Sequence, residues 1–195
     1  GCGPTWEAMN FAGMRQFHEL WDESLRGGLP IIFNFMNNFY GMGGQTAGET
    51  MAFDMLSRVG AGVNPDAMHS ERVDGYNPLA VVDAIKRKRE VLEKGDGPVL
   101  LETITYRFSG HSPSDASSYR MKEEIESWQS VDPLDSFSAE LKRVGVLDDA
   151  ARDASIEKTR TAMGNACRLA TDLDLSPRIS SEKIAALTFL SFIHF

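Results

Sequence analysis

The chain has 195 residues, 42% of them apolar and 25% charged, with a formal net charge of −8. That is enough apolar material for one domain with a core, and the composition is not that of a disordered segment. The acidic balance argues against a general nucleic-acid binder or an anionic-membrane binder. The only two cysteines, Cys2 and Cys167, exclude a disulfide scaffold and point to a reducing compartment. No apolar run reaches 18 residues, so no transmembrane helix is expected.

In chain order, Pro4 to Leu25 reads as a helix, with Pro4 in its first turn, apolar residues from Trp6 to Trp21 at helical spacing, and Arg26-Gly27-Gly28 as its stop. Pro30 to Met36 is short and apolar on both faces, which predicts a buried strand. Asn37 to Gly48 holds four glycines and reads as a loop, and Glu49 to Val59 as a short helix. Glu71 to Asp74 is a candidate strand. Asn77-Pro78 opens a helix to Lys94, with Leu79, Val82, Ile85 and Leu92 on one face and Gly95 as its stop. Pro98 to Thr105 reads as a strand and Tyr106 to Tyr119 as a polar loop. Helices are expected over Lys122–Ser130, Pro133–Val144 and Asp148–Asp172. Ser181 to Phe195 reads equally as an amphipathic helix or an irregular end.

The alternation of strand and helix implies an α/β fold with a doubly wound parallel sheet, followed by C-terminal helices. In such sheets ligands bind outside the carboxyl ends of the strands. The loops 37–48 and 106–119 leave two such ends and should converge on one crevice.

In the first loop, Asn37-Asn38-Phe39-Tyr40-Gly41-Met42-Gly43, an Asn amide offers a neutral, hard oxygen of the kind Mg²⁺ accepts. Such loops are also common turn formers. In the second, Tyr106-Arg107-Phe108-Ser109-Gly110-His111-Ser112-Pro113-Ser114-Asp115, His111 can donate to a diphosphate or carbonyl oxygen or shuttle a proton near neutrality. Arg107 and Asp115 are candidates to hold the loop by charge-assisted bonds. Elsewhere the bland readings stand. Lys86 to Arg89 reads as a solvated helix face, His18 and His69 as structural, and Cys167 as inert.

Taken together, Asn-Asn-x-Tyr-Gly-Met-Gly, then Tyr-Arg-x-x-Gly-His-Ser-x-Ser-Asp and Ser118-Tyr119-Arg120, resemble one family. It is the α subunit, or the α region of a fused chain, of the thiamine-diphosphate-dependent E1 component of 2-oxoacid dehydrogenase complexes (pyruvate, branched-chain and acetoin). Trp6 to Ala12, Arg72 to Gly75 and Gly97 to Tyr106 resemble further segments, and the likeness covers residues 4–178. The resemblance implies a thiamine-diphosphate-binding domain over residues 1–178, incomplete at its N-terminus, and a separate tail, 179–195. It implies thiamine diphosphate and Mg²⁺ as cofactors. Asn38 would be a ligand through its side chain and Tyr40 through its carbonyl, and His111 a catalytic and cofactor-binding residue beside the diphosphate. It further implies oxidative decarboxylation of a 2-oxoacid, with pyruvate the expected substrate, and acyl transfer to lipoyl groups of E2. The implied partner is an E1 β subunit or β region, in an α2β2 assembly or a fused dimer. The location would be cytoplasm, or mitochondrial matrix in a eukaryote. Ser112 and Ser118 match loop serines that are phosphorylated in some members.

Three departures accompany the likeness. Ser109 stands where many members have a second His. The family's Gly-Asp-Gly, whose Asp is the charged metal ligand, does not precede Asn38. Gly95-Asp96-Gly97 falls on the wrong side of it, and Gly1-Cys2-Gly3 would offer a thiol, a poor Mg²⁺ ligand. The tail from Ser181 onward is unlike the family. The expectation is therefore a natural chain that begins upstream, and a fragment inactive by itself. The competing reading is a non-catalytic assembly or regulatory subunit that retains the fold.

Overall fold

The computed structural model describes residues 3–41, 44–52, 54–64 and 68–190. Cys2, Met42, Gly43 and the end of the tail, 191–195, lie outside them. The chain falls into two units, residues 1–139 and 140–195.

The first unit is built on a parallel sheet of β1 (Ile32–Asn37), β4 (His69–Asp74) and β5 (Val99–Ile104), in the order β1-β5-β4. The register sets Asn37 and Asp74 on either side of Ile104, so all three strands end level. β5 is central, and Val99 to Thr103 are all buried. β1 is an edge among the described residues, and Asn34 and Met36 are exposed. The expectation that β1 is buried on both faces therefore fails. A run of apolar letters does not say which strand is flanked on both sides.

Side-chain alternation along β5 splits the core into two halves. Leu100 packs with Met9, Val59, Met68, Phe33 and Phe35, on the face that carries α1 (Gly3–Ala12) and α3 (Arg58–Val63). Leu101 packs with Val73, Ala84, Ile32 and Ile85, on the face that carries α4 (Pro78–Glu93). Helices on both faces of a parallel sheet make the fold doubly wound, as the strand–helix rhythm implies. Burying each of these leucines contributes about 1.5–3 kcal/mol.

The first expected helix is broken. α1 stops at Ala12, and a short α2 (Gln16–Leu20) follows. The break is tertiary in origin. The Leu29 N–H donates to the Ala12 carbonyl at 2.8 Å. Gly28, at φ +118°, brings the chain so close that a Cβ there would lie 2.1 Å from that oxygen. No helix forms over the described residues of 49–57. The helix comes later, as α3, and Gly60 inside it lies against β4, where a Cβ would meet Ser70 Oγ at 1.9 Å. The 37–48 loop holds a small antiparallel pair, β2 (Tyr40–Gly41) and β3 (Gly44–Gln45).

α4 begins where Asn77 Oδ1 accepts the Ala80 N–H at 3.2 Å. Its buried face matches the expected one only in part: Ile85 packs on the core and Leu92 is half-buried. Ala84 and Lys88 are buried, whereas Leu79 is 64% and Val82 49% exposed. Lys88 is thus no part of a solvated face: its ammonium pairs with Glu71 at 3.2 Å. Arg87 grips the same carboxylate with two bonds of 2.6 Å. Arg87, and then Lys88 against the effect of burial, hold Glu71 below the usual carboxylate range.

After the second loop come α5 (Lys122–Gln129) and α6 (Pro133–Arg143), close to their expected bounds. The second unit contains α7 (Asp149–Thr171), capped by Asp148 Oδ1 on the Ala151 N–H at 2.7 Å, and α8 (Ser181–Leu190). α8 settles the tail as helical as far as residue 190. No helix among the described residues is long and apolar enough to cross a membrane.

Candidate functional site

β1 and β5 are neighbours and end in register, so the loops after them leave the sheet side by side. The Thr105 N–H donating to the Asn37 carbonyl at 2.9 Å carries the pairing one step past the strands. The two loops converge on one cleft of about 220 Å³, lined by Asn38, Tyr40, Arg107, His111, Tyr119 and Arg120 among others. The three residues singled out by motif, Asn38, Tyr40 and His111, are thus brought together.

The adjacent asparagines do different work. Asn37 is buried. Its Nδ2 donates to Glu102 Oε1 at 2.7 Å, and its Oδ1 accepts the Phe39 N–H at 3.0 Å. Asn38 lines the cleft, and its Oδ1 accepts the Tyr40 N–H at 3.1 Å. Both are Asx turns, one upon the other. Between them Phe39 adopts φ 65°, a conformation uncommon outside glycine. An amide oxygen has two lone pairs, so Asn38 Oδ1 retains one for a ligand. The Tyr40 hydroxyl donates to both oxygens of Glu124 on α5, at 2.8 and 2.9 Å. Burial, and then the Glu124 charge, push the Tyr40 phenol up to about 12.

The second loop is stapled by its own charges, though Arg107 and Asp115 do not pair with each other. Asp115 accepts the backbone N–H groups of His111 (2.6 Å) and Ser117 (2.8 Å) and the Tyr119 hydroxyl (2.7 Å). The two backbone donors, and then Tyr119, hold it down at about 2. Arg107 donates to the His111 carbonyl at 3.2 Å. Arg120 donates to the Arg107 and Ser109 carbonyls and to Ser117 Oγ. Its guanidinium lies 5.3–5.7 Å from the ring centres of Tyr40, Tyr106 and Tyr119. Tyr106 in turn stacks on Trp128 of α5 at 5.2 Å and 8°. His111, Ser112 and Ser118 are exposed.

Sequence reasoning missed Glu102 and Glu124. Glu102 carried a signal, a lone acid in the middle of an apolar strand. Glu124 carried none, because its role depends on how α5 meets Tyr40.

The cleft suits a polyphosphate. Among the described residues its lining includes two guanidinium groups and an imidazole but no carboxylate. Arg120 Nε is buried with no hydrogen-bond partner among the described residues. A hard cation riding on such an anion would meet the neutral Asn38 oxygen. No group of three or more His, Cys, Asp or Glu able to hold a metal occurs among the described residues. A larger groove, about 570 Å³, borders the amino end of β4 and includes Arg15, His18, Arg26, His69 and Asp96. Its charges are largely spent internally: Arg26 pairs with Asp96 at 3.0 Å, and His18 Nδ1 bonds the Glu23 carbonyl.

The model of the family described as dehydrogenase E1 component matches residues 5–177. The chain is 34% identical over 152 residues to 2-oxoisovalerate dehydrogenase subunit alpha of Bacillus subtilis (strain 168), covering 77% of this chain and 44% of that protein. It is 34% identical over 149 residues to the mitochondrial pyruvate dehydrogenase E1 component subunit alpha type I of Ascaris suum, covering 75% of this chain and 33% of the other. The pyruvate dehydrogenase E1 component subunit alpha of Zymomonas mobilis is 35% identical over 147 residues, which is 75% of this chain and 40% of that protein. The chain thus spans a third to under a half of the length of these curated relatives. The match over nearly the whole chain and the named α subunits agree: this protein belongs to the dehydrogenase E1 component family, on its α side.

Proposed function

We propose that the chain is the α part of an E1 enzyme that decarboxylates a 2-oxoacid oxidatively, with thiamine diphosphate and Mg²⁺ as cofactors. The observation that carries this reading is the convergence of Asn38, Arg107, His111 and Arg120 on one cleft at the carboxyl ends of β1 and β5. Bound there, thiamine diphosphate supplies a carbon nucleophile for the 2-oxo carbon and an electron sink for the charge left as CO₂ departs.

The residues of this chain hold and orient. Arg107 spends one donor on the His111 carbonyl and has others for diphosphate oxygens. Arg120, held by its carbonyl acceptors and three rings, adds a second positive charge at the cleft. Asn38 would give its amide oxygen to the cation and Tyr40 its backbone carbonyl. His111, exposed at the cleft, offers an imidazole N–H to a diphosphate oxygen or a substrate carbonyl.

The matched α subunits support an E1 β partner, acyl transfer to E2 lipoyl groups, and pyruvate or a branched-chain acid as substrate, of which pyruvate is our choice. In this reading residues 1–178 form the cofactor-binding domain and 179–195 a tail, and the segment by itself is inactive. The assembly is α2β2 or a fused dimer, in the bacterial cytoplasm or the mitochondrial matrix. A phosphate on exposed Ser112 or Ser118 would add charge to the loop that Asp115 organises.

Calorimetric titration of the natural full-length protein, with its β partner, tests the reading. Asn38→Ala should weaken Mg²⁺-dependent thiamine diphosphate binding by about 10- to 100-fold. His111→Ala should lower reductive acylation of a lipoyl domain by about 10²- to 10⁴-fold. Parental affinity in the Asn38 variant would overturn the assignment of this cleft.

A further inference from the structure

The core beneath the cleft holds a carboxylate with no catalytic task. Glu102 stands in the middle of the central strand β5, and its side chain is 0% exposed. A leucine would be cheaper there for the fold, because a buried charge must recover its desolvation from its partners. The partners are specific. Oε1 receives Asn37 Nδ2 at 2.7 Å and Arg72 Nη2 at 3.0 Å, and Oε2 receives the Ser57 backbone N–H at 2.9 Å.

Asn37 is the last residue of β1, and Ser57 immediately precedes α3. One carboxylate therefore holds both ends of the segment that carries Asn38 and Tyr40. The hold continues inward: the Asn37 amide that donates to Glu102 accepts the Phe39 N–H through its other end. That bond fixes the left-handed Phe39, and with it the turn that presents Asn38 to the cleft. We infer that Glu102 is a positioning residue for the cofactor site, a buried clamp that sets where the chain leaves β1 at Asn37 and enters α3 at Ser57. This rests on the cleft being the thiamine diphosphate and Mg²⁺ site proposed above. Burial opposes the charge on Glu102, but the Ser57, Asn37 and Arg72 donors outweigh it and keep the group below the usual carboxylate range.

The test uses the natural full-length protein with its β partner and three single variants, Glu102→Gln, Asn37→Ala and Asn38→Ala. Amide hydrogen exchange is read without ligand, and thiamine diphosphate affinity is read by calorimetry in Mg²⁺. In Glu102→Gln, exchange at Phe39 to Gly41, at Gly44 to Thr46 and around Ser57 should rise about tenfold or more, while β5 and α4 keep their protection. Cofactor affinity should fall about 10- to 100-fold, as for other outer partners of a ligating group. Asn37→Ala leaves the Ser57 and Arg72 bonds to the carboxylate in place. It should loosen Phe39 to Gly41 and Gly44 to Thr46 without loosening Ser57, and it decides the matter if Glu102→Gln does not fold. Unchanged exchange and affinity in Glu102→Gln, or in Asn37→Ala where that variant decides, overturn the clamp if Asn38→Ala does weaken binding. Parental affinity in Asn38→Ala instead overturns the cofactor reading on which the clamp rests.

Discussion

The two loops that meet at the cleft are held in opposite ways. The 37–48 loop is tied from below, by a buried carboxylate in the middle of the sheet whose bond to Asn37 is itself buried. The 106–120 loop is tied from within, by Asp115 and Arg120 bonding its own backbone near the surface. A core-anchored loop inherits the rigidity of the sheet and yields when the sheet yields. A self-stapled loop can open while the sheet stays folded, and its order depends on pH, salt and any added charge. The first suits a fixed ligand oxygen.

The largest expected effect breaks the core anchor outright. Glu102→Ala leaves Arg72 and the Asn37 amide facing a buried gap, which should cost about 3–5 kcal/mol, as for removing one partner of a buried pair. Chemical denaturation checks it. A loss under about 1 kcal/mol would mean that water fills the gap and that the first loop is not core-anchored. The surface counterpart should be milder. Arg120→Lys loses the planar fork that reaches two carbonyls at once and weakens the contact with three rings. We expect a loss of about 1–2 kcal/mol, visible as faster exchange across 106–120 with the sheet unchanged.

The difference between the loops bears on what the sequence made legible. β5, α4 and both loops follow from local patterns: an apolar run after a Gly-Pro, an Asn-Pro cap, and clusters of glycine, serine and asparagine. The convergence of the loops follows from the parallel topology together with β1 and β5 being neighbours. Long-range events are what escaped. The break after Ala12 depends on Gly28 approaching it, and the position of α3 on Ser70 lying against Gly60. The exposure of Leu79 and Val82, and the burial of Lys88, depend on which face of α4 meets the sheet. At the site, motif spacing singled out Asn38, Tyr40 and His111. The acids that hold them, Glu102 and Glu124, lie 65 and 84 residues from their partners Asn37 and Tyr40.

Acid sharpens the comparison further. Asp115 titrates at about 2 in the folded chain, against about 3.9 for an ordinary aspartate. A depressed pKa means that the ionised form is favoured by folding, so its contribution is full above the ordinary value and is lost as pH falls through the folded one. The His111 and Ser117 amide shifts should therefore titrate together with a midpoint near 2. A midpoint at or above about 3.9 would show that those bonds are absent in solution.

The smallest effect separates the loops by screening alone. Raising ionic strength from about 0.15 to about 1 M shortens the Debye length from about 8 to about 3 Å. The Asp115 and Arg120 bonds run to neutral partners, so salt acts on the attraction between the two charges, which at a site near the surface is worth about 0.2–1 kcal/mol. Exchange across 106–120 should accordingly rise by about twofold. The carboxylate under the first loop is buried and bonded to three donors, so exchange at Phe39 and Ser57 should stay within error. If both loops respond equally, water reaches Glu102 and the two anchors are of one kind. If neither responds, the second loop is held by the packing of Tyr40, Tyr106 and Tyr119 around Arg120 rather than by its charges, and the aromatic cage becomes the feature to mutate next.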